Sequence, residues 1–409
     1  MSELSTQRSI VHLDMDTFFV SVSRLENSSL IGKPVLVGGA GDRGVVAACS
    51  YEARTYGVHS AMPMKLAKRL CPDAVIVRGD FDRYSYYSNL VTDIIKEAVP
   101  LYEKASIDEF YVDLSGMDRF FGCYRYAAEL RRRIISESGL PVSLGFSVNK
   151  TVSKVATGEA KPNGERKVDW GLEKNFLAPL SIMRIPMIGE KTARILYEMG
   201  IFKVETLQQT PPQLLMNVLG ENGISVWKRA NGIDTSPVEP YWERKSIGSE
   251  ETFERDSMDV PMMVNTLLRM TEHLSFRLRT ENKLTGCVTI KIRYSNFDTH
   301  TLQNRMVYCN ADHMLMSKVK ELFYKLYQRR MLVRLIGVKF SHLVYGGHQI
   351  NLFDDVSEML SLYQAVDRMK QKFGEDKIHR AAYEVSGRKL ARGFDHRNSV
   401  NHSGKPDAT

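Results

Sequence analysis

Cysteine is scarce in this 409-residue chain, and its five residues, Cys49, Cys71, Cys123, Cys287 and Cys309, never fall in CxxC spacing. That pattern argues against a disulfide framework or a thiolate zinc site and fits a reducing cytoplasmic setting. Long apolar runs are missing too. None approaches the ~20 residues of a membrane span, and the polar opening MSELSTQRS lacks the apolar stretch of a signal peptide. No internal repeat is visible, and there is no acidic surplus. Lys and Arg number 56 against 48 Asp and Glu, a formal charge of +8, which suits a phosphate-rich partner. What remains is a soluble intracellular protein. Its apolar fraction of 43% supports ordinary globular cores, and its length predicts two to four domains.

The chain opens with a mixed α+β pattern. Residues 10–16, IVHLDMD, read as a buried strand ending in acids, and residues 17–25 as a helix. Strands are expected at 34–38 and 44–49, and a short helix at 64–70 that Pro72 ends. Helical spacing covers 81–98 and 124–138, with a strand at 142–147 and a helix at 149–160. From Pro179 to about Asp234 the chain looks all-helical. Within it, IPMIGEKTARILYEMGI has the form of a helix-hairpin-helix with a tight turn at Ile188–Gly189, although Met187 stands where such hairpins usually have a glycine. The helix start after Gly189 offers backbone N–H groups to a phosphate. TSPVEPYWERK at 235–245 reads as a linker. Beyond it come helices at 260–280 and 314–328 and strands at 286–294 and 331–343. In GCVTIKIRY, Val288, Ile290 and Ile292 share one face while Thr289, Lys291 and Arg293 share the other, apolar beneath and basic above. The tail is expected to be helical to about Val385 and then disordered.

The chemistry is concentrated in acids. In ASIDEFYVDL, residues 105–114, Phe110, Val112 and Leu114 alternate with Glu109, Tyr111 and Asp113, as in a half-buried strand. Asp108 and Glu109 repel each other at its mouth, so crowding them gains nothing unless a cation is shared; an acidic pair is also ordinary surface. Asp14 and Asp16, two apart on the first strand, share a face. Bringing Asp14 beside Asp108 and Glu109 makes a hard-oxygen site suited to Mg²⁺. Two such ions about 3.5–4 Å apart can activate a hydroxyl and steady a leaving pyrophosphate oxygen. Tyr51 and Arg54, three apart on one helical turn, and Lys161, in the turn AKPNG, are candidate triphosphate clamps. Taken singly, each of these is more often a solvated surface residue.

Several stretches recur in one order: LDMDTFFVSVSRLE, GVVAACSYEARTYGVHSAMP, ASIDEFYVDLSG, LGFSVNKTVSKVATGEAKPNG and RKSIGSEETF. Together they resemble Y-family translesion DNA polymerases of the DinB-like kind over about residues 8–345. The resemblance implies an α+β multidomain right hand. Its palm would span 1–18 and 76–168, small fingers 19–75, a helical thumb 169–235, a linker 236–245 and a little finger 246–345. A clamp-binding motif and tail would fill 346–409. It implies low-fidelity, template-directed synthesis without proofreading on primer-template DNA and deoxynucleoside triphosphates. Two Mg²⁺ (Mn²⁺ as a possible substitute) would bind Asp14, the Met15 backbone carbonyl, Asp108 and Glu109. Tyr51, Arg54, Lys161, Phe18 and Phe19 would contact the nucleotide, Phe19 excluding a ribose 2′-hydroxyl. Gly189, Lys191, Lys245, Lys291 and Arg293 would meet DNA. QINLF, with Gln349, Ile350, Leu352 and Phe353, resembles the peptide that docks on bacterial sliding clamps. A monomer is expected, with no membrane partner. Ala48 departs from the hydroxyl residue often found near the triphosphate, and Ser153 lies where relatives vary.

Two other readings compete. A nucleotidyl cyclase shares a palm-like acidic layout, but it needs neither the helical hairpin nor the basic strand. A catalytically dead adaptor would not need Asp14, Asp108 and Glu109 together.

Overall fold

The computed structural model describes residues 8–117, 122–240, 243–328, 330–346, 356–374 and 378. They divide into two compact units at residues 242 and 243.

The first unit begins with β1 (Ile10–Met15) and α1 (Phe18–Glu26). There follow β2 (Val35–Gly38), β3 (Val46–Cys49), α2 (Tyr51–Arg54), α3 (Met64–Leu70) and β4 (Val75–Val77). The chain continues through α4 (Phe81–Ala98), β5 (Tyr102–Lys104), β6 (Glu109–Asp113), α5 (Cys123–Ser138), β7 (Val142–Ser147), α6 (Lys150–Ala160) and β8 (Glu165–Lys167). A five-stranded sheet of order β5-β6-β1-β7-β8 forms its centre. β1 is its middle strand, antiparallel to both β6 and β7. Alternation sorts its residues onto two faces. Val11 and Leu13, with Phe110, Val112, Val142 and Leu144, pack on the apolar faces of α4 and α5. His12, Gly145 and Tyr111 turn the other way, toward α6.

That second face is covered, not solvated. Tyr111 is 7% exposed and packs with Ile10 and Val238, so β6 is a buried strand that carries acids where a half-buried one was expected. α4 starts cleanly because the Asp80 carboxylate accepts the N–H groups of Asp82 and Arg83.

A smaller sheet of order β3-β2-β4 is inserted between α1 and α4. Leu36, Val46, Cys49, Met64 and Ala67 form a core of its own beneath α2 and α3. After β8 the unit is helical: α7 (Glu173–Leu177), α8 (Glu190–Glu198), α9 (Val204–Gln209), α10 (Pro212–Leu219) and α11 (Glu221–Ala230). These helices close around Leu177, Ile182, Leu196, Leu207, Leu215 and Val226, and the core runs on into Val152, Val155 and Ala156 of α6.

The second unit contains β9 (Ser246–Ser257), α12 (Val260–Thr280), β10 (Lys283–Tyr294), β11 (Thr299–Cys309), α13 (Asp312–Leu326), β12 (Val333–Tyr345) and α14 (Val356–Phe373). Its antiparallel sheet has the order β11-β10-β12-β9. Val288, Ile290 and Ile292 face α12 and α13 through Met263, Met270, Leu315 and Phe323. Thr289, Lys291 and Arg293 take the opposite face, as their alternation requires. The expected disorder of the far tail falls outside the described residues.

Candidate active site

The acids meet at one end of the central sheet. Asp14 lies opposite Glu109 in the β1–β6 register, so both side chains share a face. Asp108 sits just before β6, and its backbone carbonyl accepts the Met15 N–H at 3.0 Å. The two strand ends are therefore pinned by backbone as well as by packing.

Each carboxylate has its own partner. Lys161 Nζ lies 2.5 Å from Asp14 Oδ1 and 3.8 Å from Asp16 Oδ1. Lys154, on α6, donates to both Glu109 oxygens at 2.6 and 2.8 Å. The Ser106 hydroxyl donates to Asp108 Oδ1 at 2.5 Å. Among the described residues, no group of three or more His, Cys, Asp or Glu is gathered closely enough to cage a metal ion.

The electrostatics show what the site lacks. Burial pushes Asp14 up to about 7, reinforced by the charges of Glu109 and Asp108 and opposed by Lys161. Asp108 is also raised by burial, against its Ser106 hydrogen bond. Burial raises Glu109 as well, but the charges of His12, Lys154 and Lys161 outweigh it and leave it below the usual carboxylate range. His12 is itself held down to about 3, chiefly by burial, so it is neutral at pH 7 and Lys154 carries that effect. A divalent cation would relieve the strain on Asp14 and Asp108, and hard carboxylate oxygens are what Mg²⁺ takes. The donor set fits such an ion.

Two neighbours were not foreseen from the sequence. Lys154 looked like any helix lysine. His12 is 1% exposed, with Nδ1 2.9 Å from Thr157 Oγ1 and Nε2 left without a hydrogen-bond partner among the described residues, 4.0 Å from Glu109 Oε2. Asp16 is fully engaged: Ser143 Oγ donates to it at 2.8 and 3.0 Å, and the Asn163 N–H at 2.5 Å. That saturation makes it a structural acid that ties β1 to β7 and to the turn after α6.

The clamp candidates line the same end. Ser50 caps α2, accepting the N–H groups of Ala53 and Val35 through its hydroxyl. This places the Arg54 guanidinium 5.2 Å from the Tyr51 ring centre. The Tyr51 hydroxyl reaches Asp16 Oδ1 at 3.4 Å. Thr17, at φ 42°, takes a left-handed turn between Asp16 and α1, a conformation that costs about 1–3 kcal/mol and is typical of functional sites. It aims Phe18 and Phe19 inward. Phe19 stacks on Tyr84 with ring centres 4.1 Å apart, and Phe18 lies 6.1 Å from the same ring.

The other candidates lie elsewhere. Gly189 precedes α8, whose second residue Lys191 is exposed, and Met187 adopts φ 77°, the left-handed conformation a hairpin glycine would take. In the second unit Lys245 is exposed just before β9, Lys291 pairs with Glu250, and Arg293 donates to Thr299 Oγ1 at 2.8 Å. Gln349, Ile350, Leu352 and Phe353 fall outside the described residues.

Comparison with known proteins gives this geometry its setting. The profile of the impB/mucB/samB family matches residues 13–158, and that of its C-terminal domain matches 244–352. A DNA polymerase IV of Dehalococcoides mccartyi is 36% identical over 90% of this chain and 95% of its own length. One from Desulfatibacillum aliphaticivorans is 36% identical over 92% and 97%. The chain belongs to the DinB-like Y-family DNA polymerases. Among solved structures, a Y-family polymerase chimera of Dbh and Dpo4 superposes with a TM-score of 0.74 at 27% identity, covering 83% of this chain and all of that one. An insertion ternary complex of Dbh DNA polymerase gives 0.61 at 26% identity over the same shares. The α+β fold is thus that of a multidomain right-hand polymerase, and the activity is that of a low-fidelity, DNA-directed DNA polymerase of the translesion kind. Y-family polymerases depend on divalent metal, bind template DNA and take nucleotide substrates.

Proposed function

We propose that the carboxylate end of the central sheet adds deoxynucleotides to a primer 3′ end during lesion bypass. The observation that carries this reading is Asp14 facing Glu109 with Asp108 pinned beside them, in a pocket where burial penalises all three charges and leaves Asp14 and Asp108 raised. Asp14, the Met15 carbonyl, Asp108 and Glu109 would hold two Mg²⁺, with Mn²⁺ as a substitute. Such a pair, when bound, supplies a Lewis acid for the attacking hydroxyl and the leaving oxygen. The chain does the rest. Arg54 offers a forked donor pair to a triphosphate, with Tyr51 beside it. Lys161, now on Asp14, gains a more highly charged partner when a triphosphate arrives. Phe19, backed by Tyr84, cannot retreat from a ribose 2′-hydroxyl and so selects the deoxy sugar.

Around that site, we assign residues 1–18 and 76–168 to a palm, 19–75 to fingers, 169–235 to a thumb, 236–245 to a linker and 246–345 to a little finger. The small inserted sheet supports a compact fingers region that encloses the base pair loosely. The α8 start at Gly189 and Lys191, together with Lys245, Lys291 and Arg293, would hold DNA through its phosphates. QINLF at 349–353 would dock on a sliding clamp, a reading that rests on the sequence. The protein would act as a monomer in the cytoplasm; among the described residues no helix is long and apolar enough to cross a membrane. Primer extension with Mg²⁺ and four deoxynucleotides tests the assignment: extension without proofreading is expected, and a wild-type protein that adds no nucleotide would refute it.

A further inference from the structure

One face of α6 is a polar stripe laid on the central sheet. Lys150, Lys154, Thr157 and Lys161 stand at i, i+4, i+7 and i+11, the spacing that lines up side chains along one side of a helix. Each meets a partner on β5, β6 or β1. Lys150 donates to Glu103 at 2.6 and 2.8 Å, and Lys154 to Glu109 at 2.6 and 2.8 Å. Thr157 meets His12, and Lys161 reaches Asp14 at 2.5 Å. Glu103 is buried and also accepts the Glu239 N–H at 2.8 Å, so its pair with Lys150 ties the chain after α11 to the sheet. Lys161 is a triphosphate clamp candidate. Lys154 has neither role, and the acid it holds is a metal-ligand candidate.

Its hold on Glu109 has the form of a small cation's. The ammonium lies almost equally far from the two carboxylate oxygens, the position a chelated ion takes. His12 does not share the task. Thr157 Oγ1 donates to the Ser153 carbonyl at 2.9 Å and therefore accepts the His12 Nδ1 proton, also at 2.9 Å. That leaves Nε2 of the neutral ring a bare acceptor with no proton for Glu109. Among the described residues, Lys154 is the one cation hydrogen-bonded to Glu109.

Distance alone sets Lys154 against a metal ion. Mg²⁺ binds oxygen at about 2.0–2.1 Å, so with Nζ 2.6 and 2.8 Å from the two oxygens an ion on either one lies within about 5 Å of the ammonium. Even at the dielectric constant of water, a unit and a double charge at that separation repel enough to shift an equilibrium about tenfold. The Lys154 side chain is 35% exposed, so it has solvent to move into when it is displaced.

We propose that Lys154 is a positioning residue that stands in for metal on Glu109, a role that rests on the metal reading of Asp14, Asp108 and Glu109 above. It holds the carboxylate in place before an ion arrives and, by competing for it, holds down the affinity of the free protein for divalent cations. The site then fills when a triphosphate adds its own oxygens to the coordination.

Titration of the full chain with Mn²⁺ at pH 8, the free ion read by electron paramagnetic resonance, tests this without turnover. Lys154→Met, which keeps the stem and drops the charge, should bind Mn²⁺ about tenfold tighter than wild type. Lys154→Arg, which keeps the charge, should stay within about threefold of wild type. Asp108→Ala, which removes a ligand, should bind more weakly. In EDTA, Lys154→Met should melt below wild type, and Mn²⁺ should raise its Tm by more than it raises that of wild type; a purely structural salt bridge would give equal increments and overturn the proposal. Weakened Mn²⁺ binding in Asp108→Ala, with Lys154→Met no tighter than wild type, would overturn the role of Lys154 alone. An Asp108→Ala protein that binds Mn²⁺ like wild type would overturn the metal reading and the role of Lys154 with it.

Discussion

Gly145 sits on β7 opposite His12, on the sheet face that α6 covers. A methyl group there would fall 2.0 Å from the Ser153 carbonyl oxygen, 2.4 Å from the Thr157 nitrogen and 2.7 Å from Thr157 Oγ1. Ordinary contact begins at 3.4 Å, so α6 must retreat by about 1.4 Å in Gly145→Ala. Two of these atoms are backbone and cannot rotate away. Overpacking of this kind costs about 3 kcal/mol, at the upper end of its usual range, which lowers Tm by roughly 6–12 °C in a unit of this size. Function should suffer with it, because α6 carries Lys154 on Glu109 and ends next to Lys161 on Asp14. Misplacing a catalytic group by about 1 Å can cost ~10²-fold in rate. The matched control is Gly158→Ala in α6 itself, where nothing stands within 4 Å of the new methyl and helix propensity predicts a gain of about 0.5–1 kcal/mol. Thermal melts and primer-extension rates of both variants decide the matter. If Gly145→Ala melts within about 2 °C of wild type and extends primers normally, the close packing of β7 on α6 does not position the site.

Other outcomes follow from the same geometry. A raised Asp14 favours the folded, metal-free protein at acid pH, and that contribution is lost as pH rises through about 7. His12, held down to about 3, acts in the opposite sense, its contribution present above its ordinary value near 6.5 and lost as pH falls. The increment in Tm on adding Mg²⁺ isolates the acids: it should be larger at pH 8 than at pH 6, because the metal needs Asp14 deprotonated, and an equal or reversed increment would separate Asp14 from metal binding. Phe19→Ala should admit ribonucleotides in single-nucleotide insertion assays, and unchanged sugar discrimination would remove Phe19 from the gate. Deleting 349–353 should spare distributive synthesis but abolish stimulation by a sliding clamp; retained stimulation would place the clamp contact elsewhere.

The parts of this protein legible in sequence share a physical signature. β1, β7 and the core of β10 are dense in β-branched and apolar residues, and α3 stops at Leu70, two residues before Pro72, as its punctuation demands. β9 and β11 went unread because SIGSEETFERDS and THTLQNRMVYC are polar strands, largely exposed and held by neighbours on the sheet. β4, β5 and β8 have three residues each and carry no period to detect. At the site, Asp14, Asp108 and Glu109 could be proposed because clustered acids are conspicuous. Lys154 could not, since a lysine on an amphipathic helix is ordinary until the fold sets it on Glu109. His12 was hidden for a similar reason: inside an apolar strand it reads as core, and its orphaned Nε2 exists only in three dimensions. The alternation of β6 was read correctly, but its second face was assigned to solvent because nothing local announces that α6 and Val238 will cover Tyr111.

The central claim is that the buried acids at the end of β1 and β6 carry the chemistry. Its most direct test compares wild type with Asp108→Ala in Mg²⁺-dependent primer extension, with DNA affinity measured in parallel. Loss of extension with DNA binding largely intact is the predicted result; an Asp108→Ala protein that still extends primers at a comparable rate would contradict it.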